Sequence, residues 1–383
     1  MNHSNKHLHI IAFAVPNPPL YGGTIDVYHK IRTLSGMGIK IHLHAFTYKQ
    51  HKPWKKLAEL CESVNYYPRK NHWIHMLSRK PYIVKTRMDK NLLKNLQKDG
   101  HPILFEGLHT CSLVAHPSLK QRFKIYRESN IEHHYYYHLF KAEKGIGNKI
   151  FHLTESFKLW RFQRQLKHVQ LMLAVSRKDT QYLKKHFPDK DVFHLPSFHP
   201  HETINTKPGQ GDYALYHGKL EVAENHQAAT FLIKKVFNQS DIPLIIAGMN
   251  APPSLRKLIN TMPLVTLVEN PDDITMTKLI REAQVHILVT FQATGLKLKL
   301  LNTLYNGRHI LVNPAMVAGT LAENICETGK NPLELKTKLR HLMKKPFDMK
   351  QLDKRKTLLE KYYNNKNNGQ QLINMIFREK TTG

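Results

Sequence analysis

The segment that most constrains the fold is Val285–Asn313, where the apolar runs Val285–Thr290 and Ile310–Val312 flank one helix-length stretch. That stretch is amphipathic, opens at Gly295 and closes at Asn306-Gly307. Two buried strands joined through a helix make a βαβ crossover, which commits the chain to a parallel sheet. The free N–H groups at the start of such a helix can hold an anion. Lys297 and Lys299 fall in its first turn, where cations oppose the helix dipole. Helix stability does not account for them, but a bound phosphate does.

The same alternation runs through the rest of the 383 residues, too many for one ordinary core and suited to two domains. In the first half, strands are expected at His7–Val15, Ile39–Phe46, Pro102–Phe105, Phe123–Arg127, Leu171–Val175 and Val192–Leu195. A helix is expected over Ile25–Met37, and the aromatic-rich helical stretch His133–His168 reads as core packing. Pro196–Gly211, with its prolines and glycines, reads as a linker. Beyond it come strands at Tyr213–His217, Leu244–Ala247 and Val265–Val268, then the opening motif, then basic helices at Leu333–Met343 and Leu352–Arg378. The expected division is 1–200, 201–355 and a terminal helix over 356–383.

Charge narrows the partners. There are 58 Lys+Arg against 29 Asp+Glu, a formal net charge of +29, so the chain is drawn to polyanions. Basic and aromatic residues interleave over Lys49–Lys90, and Arg69, Lys70, Trp73, Arg79 and Lys80 suit an anionic membrane surface. Stacking of single-stranded bases and a plain solvated face are the other readings of that stretch. No 18-residue apolar window exists and Leu8–Val15 is short for a signal core, so any membrane contact is expected to be peripheral, at the cytoplasmic side. Three dispersed cysteines fit no zinc or redox spacing. Among 26 histidines, the pairs His7/His9 and His42/His44 share faces of adjacent strands, but no helix carries H-x-x-x-H. They are read as hydrogen-bonded packing, with no metal.

In an open parallel sheet, ligands bind past the carboxyl ends of the strands. Glu106 and His109 follow one strand there; Arg127, Asn130 and Glu132 follow the next; Gly22-Gly23 follows the first. The glycine pair is not a dinucleotide fingerprint, since no G-x-G-x-x-G is present.

Taken together, PNPPLYGG (16–23), RESNIE (127–132), LAVSR (173–177), HGKL (217–220) and GLKLKLLNTLYNG (295–307) resemble glycosyltransferase family 4, in a bacterial branch building surface polysaccharides. The resemblance covers nearly the whole chain. It implies the GT-B fold: α/β, two Rossmann-like domains facing across a cleft, with a C-terminal helix crossing back to the first. It also implies retaining, metal-independent transfer from a nucleotide-sugar co-substrate, with no other cofactor, to a lipid-linked or growing glycan. Gly22, Gly23, Lys219, Gly295, Lys297 and Lys299 would then hold the donor diphosphate, with Thr294 and Asn302 at the nucleoside or sugar. His109 and Glu106 would be catalytic, and Arg127, Asn130 and Glu132 would face the acceptor. Departures are plain: Thr294 and Asn302 stand where the family commonly has two glutamates, and Glu224 where it has a lysine. Two other readings stay open: a catalytically inactive GT-B scaffold, and a nucleic-acid-binding protein, though no zinc-finger, RNA-recognition or helix-turn-helix pattern appears.

Overall fold

The computed structural model describes residues 6–16, 22–48, 55–143, 145–291 and 298–377. They divide into two units, one of residues up to Pro200 and from Asn365 onward, the other from His201 to Asn364.

The first unit is built on a seven-stranded sheet in the order β3-β2-β1-β4-β5-β6-β7. Its strands are β1 His7–Ala12, β2 Lys40–Thr47, β3 Ser63–Pro68, β4 Ile103–Glu106, β5 Lys124–Glu128, β6 Leu171–Ala174 and β7 Asp191–His194. Every pair is parallel. Leu8, Ile10, Ile41, Leu43 and Leu104 are fully buried, as expected where helices cover both sheet faces. The edge strand β3 lies inside the basic, aromatic stretch that the sequence presents as surface. Only Tyr67 of β3 is buried, so its apolar signal is weak.

The second unit carries a six-stranded sheet in the order β10-β9-β8-β11-β12-β13. Its strands are β8 Ala214–His217, β9 Leu244–Gly248, β10 Val265–Glu269, β11 Val285–Leu288, β12 His309–Val312 and the two-residue β13 Glu327–Thr328. The opening crossover is present: β11 and β12 pair in parallel in register Val285↔His309, and helix Leu298–Asn306 lies between them in sequence. Leu300, Leu301 and Leu304 bury its apolar stripe.

The single terminal helix expected over Leu352–Arg378 is two, Met349–Tyr363 and Asn365–Ile376, and the chain changes unit between them. The first stays with the second unit because Arg355, 2% exposed, donates to the carbonyls of Gly307 and Arg308 while Leu359 packs beside Leu304. The helix Asn365–Ile376 returns to the first unit. Leu372 and Ile373 join the core of Leu8, Val27 and Ile31, and Asn365 bonds the backbone of His199 in both directions. Gly369 allows the close crossing, since a Cβ there would sit 2.9 Å from Met37 Sδ and Thr33 Cγ2.

In each sheet the chain order reverses once, between β1 and β4 and between β8 and β11. Loops leaving those carboxyl ends splay apart, and such switch points are where open α/β sheets bind ligands.

Candidate functional site

At the β1/β4 switch point of the first unit, Phe13 leaves β1 and its ring fills the space beside Gly23, where a Cβ would meet the ring at 2.5 Å. Gly23 is therefore required by close packing at the start of helix Gly22–Gly36. The same ring lies 5.2 Å from the His109 imidazole. After β4, Gly107 adopts φ +73°, which suits glycine and turns the chain to carry His109 back over the strand end.

His109 Nδ1 stands 3.7 Å from Glu132 Oε1, too far for a hydrogen bond, and among the described residues neither Nδ1 nor Asn130 Oδ1 has a hydrogen-bond partner although both atoms are buried. Unsatisfied polar atoms of this kind are rare unless a ligand or water uses them. Burial pushes Glu132 up to about 8, so it is a neutral carboxylic acid at pH 7. Burial and the charges of Arg87 and Arg69 push His109 well below the ordinary imidazole range. The site thus pairs a proton-bearing carboxyl with a neutral imidazole beside a fixed cation. Arg87 is that cation, held by donation to Phe13 O at 2.9 Å and Ile83 O at 2.6 Å.

Two predicted site residues lie elsewhere. Glu106 accepts from Lys30 Nζ at 2.6 Å, and Lys30 also donates to Asp26 Oδ2 at 3.1 Å. Arg127 donates to the carbonyls of Leu195 and Pro196 and stands 3.5 Å from Asp26 Oδ1. None of these four side chains is more than 4% exposed. Burial alone would raise Asp26, but Lys30, Arg127 and the Phe198 N–H outweigh it and hold that carboxyl below its usual range. Glu106 and Arg127 therefore belong to a closed ion-paired quartet under the strand ends, and what separates Glu106 from the equally buried Glu132 is its bond to Lys30 rather than its exposure. Asp26 and Lys30 are not among the residues that strand-end position singles out. Their signal was an i,i+4 charged pair on the helix face that also carries Val27, Ile31 and Leu34.

At the β8/β11 switch point of the second unit, Gly218 turns the chain after His217, and a Cβ on Gly248 would lie 1.8 Å from Gly218 O. The two loops pack backbone to backbone. Lys219 is partly exposed, and its carbonyl accepts from Asn225 Nδ2 at 2.9 Å. Lys299 reaches the same place from the helix after β11, donating to Asn225 Oδ1 at 2.6 Å and lying 5.3 Å above the Tyr216 ring. Glu224, in the place of the family's lysine, accepts from the Thr290 hydroxyl. Asn302 does not reach this cluster; its Oδ1 accepts from Asn306 Nδ2 at 2.9 Å, one turn along. Thr294, Gly295 and Lys297 lie outside the described residues.

The surface residues also sort differently. Arg69 stacks 4.7 Å over Tyr48 and donates to Thr86, so its guanidinium is held against the protein rather than free at the surface. Trp73 is 65% exposed, and Lys70 and Arg79 are exposed while Lys80 is partly so. The larger surprise is helix Ile146–Gln163, expected to pack. Ile146, Ile150, Leu153, Phe157 and Trp160 repeat at helical spacing, and each is exposed. Lys158 Nζ donates to Met76 O at 2.6 Å, tying this stripe to the exposed Trp73, Ile74, Met76 and Leu77.

No family model matches the chain. An uncharacterized 44.6 kDa protein in the cps region of Klebsiella pneumoniae is 24% identical over 339 residues, covering 81% of this chain and 84% of that protein. Among solved structures, TarM superposes with a TM-score of 0.67 at 10% identity, over 97% of this chain and 99% of that one. Anabaena Alr3699/HepE, in complex with UDP and glucose, gives 0.63 at 9% identity, over 97% and 99%. A glycosyltransferase from Rickettsia africae ESF-5 gives 0.63 at 13% identity, over 98% and 100%. With two parallel Rossmann-like sheets, each reversing once, the chain has the GT-B glycosyltransferase fold.

Proposed function

We propose that this protein is a retaining, metal-independent glycosyltransferase that moves a sugar from a nucleotide-sugar to a lipid-linked or growing polysaccharide acceptor. The observation that carries the reading is that Lys299 Nζ meets the Lys219 backbone through Asn225 beside the Gly218–Gly248 turn pair at the β8/β11 switch point. Cations and N–H groups there can stabilise a departing diphosphate, the charge that develops in such a transfer. Lys299 takes the part of the cation that Glu224 cannot supply. HepE, of the same fold, has UDP and glucose bound, which supports a nucleotide-sugar donor for this chain. The cps-region relative supports a surface-polysaccharide acceptor. In the first unit, His109 and Glu132 are the groups to meet the acceptor hydroxyl, with Asn130 beside them.

The enzyme works at the cytoplasmic membrane face, peripherally; among the described residues no helix is long and apolar enough to cross a bilayer. What supports attachment is the exposed stripe Ile146–Trp160 and its surroundings. From Arg69 to Met88 there is no acidic residue, and between Gly145 and Gln170 the single carboxylate, Glu155, is fully buried and bonded to Tyr82 N and Lys158. Apolar side chains rimmed mainly by cations, with Glu143 at the helix start and Asp189 near Trp160 as the carboxylates beside them, suit anionic headgroups, whereas a second copy at net +29 would be repelled.

A donor-hydrolysis screen across nucleotide-sugars, run with thermal shift against nucleoside diphosphates, tests the assignment. Release of one diphosphate, and stabilisation by the matching nucleotide, is the expected result. Stabilisation without turnover would mark an inactive scaffold, and neither would overturn the donor assignment.

A further inference from the structure

Five histidines meet on one face of the first sheet, at the amino ends of its strands and away from the carboxyl-end groups described above. His7 and His9 come from β1, His42 and His44 from β2, and His101 precedes β4. They form two rows. The inner row is closed: Tyr67 Oη bonds His44 Nδ1 at 2.8 Å, His44 Nε2 bonds His9 Nδ1 at 2.9 Å, and His9 Nε2 bonds the Asp99 carboxylate at 3.0 Å. Every ring nitrogen in it is used.

The outer row is open. Ser63 Oγ bonds His42 Nδ1 at 2.9 Å, His42 Nε2 bonds His7 Nδ1 at 2.9 Å, and the row stops there. Among the described residues nothing bonds His7 Nε2 or either ring nitrogen of His101, whose ring lies flat against His7 at 4.4 Å. His7, His42 and His101 are each partly exposed, and one ligating nitrogen from each lies within 4.8 Å of the others.

We propose that His7, His42 and His101 bind one divalent transition ion of the Zn²⁺, Ni²⁺ and Co²⁺ class, clipping β1, β2 and the approach to β4 together. Imidazole nitrogens select these borderline ions over Mg²⁺ or Ca²⁺. Tetrahedral Zn–N bonds near 2.0–2.1 Å place ligand nitrogens roughly 3.3 Å apart, close to the present His7–His42 separation. Two of the three ligands are therefore preset on adjacent strands, with the ion replacing the hydrogen bond between His7 Nδ1 and His42 Nε2 and the proton they share moving to the open His7 Nε2. Ser63 supplies the outer hydrogen bond that fixes which nitrogen of His42 faces the ion, as second-sphere partners do in metal sites. His101 supplies the movement. An ion lies in the plane of each ring that binds it, so the His101 ring must leave its stack on His7 and swing toward the pair. The Lys40–Glu62 ion pair, 3.8 Å apart, flanks the trio without adding net charge.

The test is equilibrium dialysis of the chelator-stripped full chain against Zn²⁺, with thermal shift and Co²⁺ absorption as second readouts. The wild type is expected to retain one more equivalent than His42→Ala or His101→Asn, and to show a rise in melting temperature that both variants lose. Comparing variants is required because the chain holds 26 histidines. Absence of a retained equivalent, or its survival with the thermal shift in both variants, would overturn the site. Should His42→Ala fail to fold, His101→Asn decides, since His101 lies outside the strands. Nucleotide binding does not enter the readout, so the result is independent of the proposed transfer activity.

Discussion

Replacing Lys30 by methionine should destabilise the first unit by about 3–5 kcal/mol, the usual loss when one partner of a buried ion pair is removed. The structure sets that size. Lys30 is 0% exposed and contacts both Glu106 and Asp26, themselves 4% and 3% exposed. Without it two buried carboxylates share one cation, Arg127, which stands 3.5 Å from Asp26 and already serves two carbonyls. Methionine keeps the stem's packing, so the loss is electrostatic rather than a cavity. For a unit of this size the change corresponds to a fall in melting temperature of roughly 6–20 °C. The double variant Lys30→Met/Glu106→Gln removes the stranded charge and should recover a large part of the loss. Urea unfolding followed by circular dichroism, with each single variant and the double, closes the cycle. A loss under about 1 kcal/mol for Lys30→Met, or strict additivity in the double, would refute the quartet as a coupled unit.

Three further outcomes are expected. Glu132 has a folded pKa of about 8, above its unfolded value, so its contribution to stability is full below the unfolded pKa and is lost as pH rises through 8; the difference in unfolding free energy between the wild type and Glu132→Gln should therefore fall from pH 5 to 9, and a constant difference would refute the raised carboxyl. Lys299→Ala should weaken nucleoside-diphosphate binding by about 1.5–3 kcal/mol, the value of a charged hydrogen bond, as read by calorimetry; unchanged affinity would remove it from the phosphate site. Phe157→Ser/Trp160→Ser, at positions 58% and 42% exposed, should reduce sedimentation with anionic liposomes while leaving the circular dichroism spectrum unaltered; equal sedimentation would move the membrane surface elsewhere.

Sequence alone determined the inner strands and their parallel pairing, but not the edge strands β3 and β13. Short apolar runs buried on both faces, separated by helical periods, leave little choice of architecture, and the runs at β1, β8 and β11 are legible residue by residue. It also placed His109, Asn130 and Glu132 past strand ends, because that position follows from where a run stops. Tertiary structure alone decided which of those side chains are taken up in buried ion pairs. Glu106 and Arg127 occupy strand-end positions as plausible in the sequence as that of His109, yet Lys30 and Asp26, 76 and 101 residues earlier in the chain, close over them. The stripe Ile146–Trp160 shows the reverse, since its helical period is the same whether the helix packs or lies bare. Periodicity reports that a face is apolar; only the neighbours brought by the fold settle what covers it. The histidine rows depend on both: two pairs are visible on adjacent strands, and His101 joins them because β4 lies beside β1.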